Sequence, residues 1–239
     1  MISLTAIAET ATAVAQDSIM SLTAVTEPVQ ESINVWDLAV KGGWIMLVLA
    51  LLSVVGIYVF FERLATIRKA MNKNPYLIDR LHDNIKDNDM KSALNYCYNQ
   101  NTPISRVLEK GLKAYGLSID YMRRAMDNSA GLEIAMLEKG LPILSTIAAV
   151  GPMIGFLGTV TGMVQAFWEM ANAGNNIDVS LLSGGIYEAM ITTVGGLIVG
   201  IVSIFAYNYL VTLVDKVQNS IEGDIIAFME VASELKEKK

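Results

Sequence analysis

The sequence is short of the residues from which most enzymes and metalloproteins are built. It holds one cysteine, Cys97, and one histidine, His82. An intrachain disulfide is therefore impossible, and zinc binding or histidine-based catalysis has little to work with. No GxxxxGK[ST], CxxC or HExxH pattern occurs, so neither a cofactor nor a catalytic cluster is expected. Charge is scarce as well, at 18% of residues against roughly 25% in soluble proteins. The net charge of −6 speaks against a nucleic-acid partner. The first residues carry no Lys or Arg, and Glu9 and Asp17 interrupt any apolar core. No cleavable signal is expected there, and the first apolar run is read as an uncleaved anchor.

The chain does have long stretches without charge. Gly42–Phe61, Gly140–Trp168 and Ala189–Val214 run for 20, 29 and 26 residues, each beyond the roughly 18 that mark a membrane span. The expected fold class is an all-α integral membrane protein with three transmembrane helices and a helical cytoplasmic domain. A re-entrant or buried helix in place of the second or third span is the alternative, and the length of both runs argues against it.

Basic residues set the orientation. The segment Glu62–Lys139 carries 13 of the 18 Lys and Arg residues, whereas Glu169–Ser180 carries none. The positive-inside rule places Glu62–Lys139 in the cytoplasm. The expected order is an extracytoplasmic segment at 1–41, spans at 42–63, 141–168 and 180–214, a cytoplasmic helical domain at 64–140, an outer loop at 169–179 and a cytoplasmic helix at 215–239. Residues 1–31 are expected to be loose or marginally helical. Residues 32–43 read either as a short interfacial helix through Ile33, Trp36 and Val40 or as a plain linker.

Within 64–140, Asn74-Pro75, Asn88-Asp89 and Asn101-Thr102-Pro103 punctuate helical patterns. The spacing predicts helices at 75–87, 89–99, 103–115 and 118–139. In the last of these, Met122, Met126, Leu132, Met136 and Lys139 form a stripe that is expected to be core. In the tail, Val217, Ile221, Ile225, Phe228, Ala232 and Leu235 make a coiled-coil-like seam. That seam could pack on the bundle or on a neighbouring copy.

The candidate site lies in Val179–Val214. This stretch carries one ionisable carboxylate, Glu188, and a carboxylate inside an apolar span is a functional candidate. Thr192 follows Glu188 by one turn, and Thr193 lies about 140° round from it. The second span offers Thr159 among Gly151, Gly155, Gly158 and Gly162. The third adds Gly195, Gly196 and Gly200. Small residues at such spacing let helices approach closely in lipid, within one chain or between chains. Pro152, inside the second span, is expected to loosen a hydrogen bond to Ala148 and kink the helix.

GPMIGFLGTVTGMVQAF in the second span and GGIYEAMITTVGGLIVGIVSIFAYNYL in the third resemble the MotA/TolQ/ExbB proton-channel family, over roughly residues 34–239. Three spans resemble its ExbB-like and TolQ-like branches; MotA-like stators have four. The resemblance implies a homo-pentamer in the bacterial inner membrane, with a periplasmic N-terminus, surrounding the single helices of an ExbD-like dimer. Proton flow would then work on a TonB-like protein for outer-membrane import. It also implies that Thr159, Glu188 and Thr193 face the pore, with Thr192 as a further hydroxyl. The carrier of the proton would be an acid on the partner helix. Three alternatives stay open: a TolQ-like subunit powering envelope constriction, a passive scaffold, and a Glu188 that only fixes helix register.

Overall fold

The computed structural model describes residues 43–72, 74–172 and 179–237, and these form seven α-helices with no strand among them. Expectations for 1–41, and for most of the outer loop, lie outside the described residues. In chain order the helices are α1 Gly43–Ala70, α2 Leu77–Lys86, α3 Met90–Gln100, α4 Pro103–Lys113, α5 Ile119–Glu138, α6 Leu141–Asn172 and α7 Val179–Glu237. Three of them, α1, α6 and Ser183–Lys236 within α7, are long and apolar enough to cross a membrane.

The short helices begin and end where local chemistry demands. Asn88 and Asn101 take positive φ, 58° and 46°, a left-handed conformation that asparagine tolerates better than most residues. Asp89 caps α3 by accepting from the Ser92 amide at 3.0 Å. Hydrogen bonds from the Ser92 hydroxyl and then its amide hold the Asp89 carboxyl below its ordinary pKa. Thr102 and Ser105 form a reciprocal capping box on α4, with Pro103 at its first position, where a missing N–H costs nothing. Ser118 caps α5 through the Tyr121 amide. Pro75 lies just before α2 rather than in it, because Asn74 Oδ1 accepts from the Tyr76 amide at 3.1 Å and holds 74–76 in a turn.

The helices α2 to α5 and the last part of α7 share one core. Leu81, Val107, Leu108, Met122, Met126 and Phe228 are fully buried in it. The tail seam therefore packs within its own chain: Val217, Ile221, Ile225, Phe228 and Ala232 are all buried against the bundle. Its end is held by Lys236, whose Nζ donates to Leu117 O at 2.6 Å and lies 5.3 Å from the Tyr115 ring.

The stripe expected along α5 is half right. Met122 and Met126 are buried, but Leu132 and Met136 are exposed, and Glu133 and Leu137 take the inward positions. A six-residue step from Met126 turns about 120° away from the core, whereas seven and eleven residues return to within about 20°. Glu133 is tolerated inside because Arg106 grips it with two hydrogen bonds, 2.7 and 2.5 Å. That pairing raises the Arg106 pKa above its ordinary value. Arg106 also donates to Asn101 Oδ1 at 2.9 Å, so one side chain joins α3, α4 and α5.

Between α5 and α6 the chain turns at Gly140, φ +94°, with the Arg63 side chain lying against it. Helix α6 then continues unbroken through Pro152. A Cβ on Gly200 would lie 3.1 Å from Ala148 O and would collide with the Pro152 ring. The carbonyl that proline deprives of its helical donor therefore faces the bare backbone of α7.

Candidate functional site

The α6–α7 seam is built from residues that keep out of the way. Gly151, Gly155 and Gly158 are buried. A Cβ on Gly155 would stand 2.8 Å from Thr192 O and 3.1 Å from the Gly196 Cα. One on Gly196 would stand 2.6 Å from Gly151 O. Nearer the start of α7, Gly162 faces Ala189, and Gly185 faces Ala166. Backbone therefore meets backbone along most of the seam. In lipid, where apolar burial between helices gains little, close packing of this kind is what holds helices together. Gly195 differs: it faces Met46 and Leu49 of α1. The glycine spacing seen in the sequence thus serves contacts within one chain, between α6 and α7 and between α1 and α7.

Close approach brings three hydroxyls together. The Thr159 and Thr193 hydroxyls touch each other. Thr193 also reaches Gly155 O at 3.1 Å, and Thr159 reaches Ala189 O at 3.2 Å. Thr192 is buried and donates to its own-helix Ala189 O at 2.7 Å or across to Gly155 O at 3.2 Å. Two carbonyls, Gly155 O and Ala189 O, are thus shared among three hydroxyls that own one proton each. Alternative donor patterns follow without any movement of heavy atoms. Such a set can re-polarise when charge comes near.

Glu188 does not join that cluster within one chain. It lies on the opposite flank of the seam, beside α1, in a cleft of about 480 Å³ that it shares with Thr161, Gln165 and Glu169. Its Oε1 is 3.2 Å from where a Cβ on Gly43 would sit. Gln165 Nε2 donates to Glu169 Oε1 at 3.1 Å. Thr192 and Ala189 belong to both places: both line the cleft, Thr192 bonds Gly155 O, and Ala189 O accepts from the hydroxyls. The helical wheel explains the split: Thr193 and Glu188 project to opposite sides of the Ala189–Gly196 line that α6 covers. Thr161, Gln165 and Glu169 were not singled out from the sequence. Their four-residue steps along the second span, polar among apolar neighbours, were the available signal.

Three apolar helices long enough to span a membrane, a backbone-tight seam holding three hydroxyls, and carboxylates in the cleft beside it are the features of an integral membrane protein. Comparison with known proteins places it further. The profile of the MotA/TolQ/ExbB proton channel family matches residues 99–223, and the chain belongs to that family. It is 30% identical over 179 residues to the Synechocystis sp. biopolymer transport protein ExbB-like 1, covering 74% of this chain and 70% of that one. It is 38% identical over 107 residues to the Haemophilus influenzae Tol-Pal system protein TolQ, 45% of each chain. With the Xanthomonas campestris biopolymer transport protein ExbB it shares 32% over 90 residues, 38% of this chain and 35% of that one. Membership makes the chain a channel or transport subunit of the proton-driven type rather than a member of a known enzyme class.

Proposed function

We propose that this protein is the multi-span, ExbB-like subunit of a proton-driven motor in a bacterial inner membrane, working with an ExbD-like partner on a TonB-like protein for outer-membrane import. The proposed arrangement puts the N-terminus in the periplasm and α2–α5 with the C-terminus in the cytoplasm. Five copies surround a dimer of single partner helices, and membrane lipid covers the outer face. The observation that carries this reading is the contact of Thr159 and Thr193 across the α6–α7 seam, with Thr192 beside them on the same two carbonyls.

In this reading the hydroxyls face the partner's carboxylate. They hold water and accept or return its proton. Glu188 sets the field at the outer end of the path. The glycines keep α6 and α7 at fixed distance while the partner moves past them. A subunit conducting by itself would dissipate the gradient, so the chain alone is expected to conduct protons poorly. Large partner-free proton currents in liposomes would count against it.

The main test separates chemistry from structure. An interhelical hydrogen bond in lipid contributes on the order of 0.6 kcal/mol, too little for its loss to unfold the protein. Thr159→Ala and Glu188→Ala are therefore expected to abolish energised uptake while the complex still purifies intact. Normal uptake by both variants sinks the assignment. A TolQ-like role in envelope constriction is the second reading, favoured by the 38% identity to the Haemophilus protein. A native mass measurement on the purified complex identifies the partner and so separates the two.

A further inference from the structure

Helix α5 changes character halfway. Its first turns show Asp120, Arg123, Arg124 and Asp127 to solvent. Its last turns show Gly131, Leu132, Ala135 and Met136, with Leu132 69% and Met136 53% exposed. These residues precede α6 and lie outside the membrane-spanning runs. Large apolar side chains left open together on a helix outside the bilayer mark an interaction surface.

The opposite flank of the same helix carries a recess. Taking Met126 as the inward direction, Leu132 and Met136 lie about 120° and 80° to one side. Ile134, Glu138 and Gly131 lie about 80°, 120° and 140° to the other. On that second side α5 and α7 enclose a groove of about 470 Å³. Ala130, Ile134, Ile221 and Ile225 line it, and Ile226, 64% exposed, forms its lip. A Cβ added at Gly131 would meet nothing within 4 Å, so the groove is open where α5 is barest.

Charge favours the match on balance. Glu138 and Glu222 stand at the groove beside the Arg123–Asp127 ion pair, 3.9 Å, so its lining is net acidic. The projecting flank ends in the exposed Lys139. A projection and a recess on different flanks of one helix suit a head-to-tail contact, which makes a ring where its rotation closes.

We propose that Leu132 and Met136 of one copy of this chain seat in the α5–α7 groove of the next, with Lys139 turned toward Glu138 and Glu222 of that neighbour. The inference rests on the homo-oligomeric part of the proposed function and names the surface that makes it. It gives the helical insert a role in assembly, beside the contacts the spans make.

The test uses the full chain in native membranes. In a Cys97→Ala background, Leu132→Cys is combined with Ile226→Cys and treated with a short bismaleimide. A ladder of covalent oligomers is expected from the double variant, with each single variant monomeric on a denaturing gel. No ladder, while a native mass measurement shows the oligomer intact, overturns this interface and leaves the motor reading standing. A native mass of one chain overturns both. A dimer from Leu132→Cys alone means a two-fold contact, and cross-links only to another protein mean a different occupant; either overturns the proposal. Leu132→Glu with Met136→Glu is expected to cut oligomer recovery at least tenfold without changing the far-UV spectrum, since both side chains are exposed in the single chain. Unchanged recovery also counts against it.

Discussion

Helix α7 runs through two environments, and it packs by opposite means in each. Along its upper part, Gly185, Ala189, Gly196 and Gly200 meet α6 with almost no side chain between the backbones. Along its lower part, Val217, Ile221, Ile225 and Phe228 bury large side chains in the bundle. One continuous helix of 59 residues thus changes its packing rule partway along. The reason is the solvent. Water rewards removal of apolar area. Lipid does not, so there the attraction must come from close contact and from polar groups that satisfy one another. The lower half can be stabilised by size. The upper half depends on distance, and distance is what a hydroxyl network needs.

The contrast predicts a graded set of responses. Phe228→Ala is expected to have the largest effect on the fold, about 3–5 kcal/mol from a fully buried aromatic. It should raise amide exchange in α4 and α5 and leave the α6–α7 seam protected. Equal loss of protection in both halves would break the contrast. Gly196→Ala comes next, at the upper end of the roughly 1–3 kcal/mol that overpacking costs, because the added methyl meets backbone that cannot turn aside. It should reverse the exchange pattern, loosening the seam and abolishing activity with the bundle intact.

Glu133→Ala is expected to cost about 2 kcal/mol, since it removes charge-assisted hydrogen bonds but leaves an Arg106 that solvent partly screens. Thermal unfolding of the purified protein checks it. Gly111→Ala is expected to be milder than Gly196→Ala, about 1 kcal/mol, because the first obstacle is the flexible Met126 side chain. A Gly111→Ala variant as damaged as Gly196→Ala would show that the bundle, too, is set by backbone distance. Cys97 should show no effect. Burial, with a smaller contribution from Glu109, pushes its thiol up to about 12. At pH 8 it should resist alkylation until the protein unfolds, and fast labelling would mean that the bundle opens readily.

Much of the helical layout was legible in the sequence because its signals are local. Asn88, Asn101 and Thr102 act on their own few residues, and the predicted helix limits agree with α3, α4 and α5 to within one or two residues. The α5 stripe failed midway because the inward-facing position belongs to Glu133. Nothing local says that a glutamate is welcome inside; that depends on Arg106, 27 residues away. The split between Glu188 and Thr159 was likewise hidden, since it depends on the side from which α1 approaches α7.

Three apolar runs, the helix limits between them, the glycine and threonine spacings, and one carboxylate at the head of the third run are all written in the order of residues. Each follows from the period of a helix and the transfer cost of a charge. That the tail packs on its own bundle follows only from how the helices meet. The same is true of the three threonines sharing Gly155 O and Ala189 O, of Glu188 lying on the far flank with Gln165 and Glu169, and of α5 keeping an apolar edge outside. Those outcomes depend on which faces meet, and the period of a single helix holds no information about its neighbour.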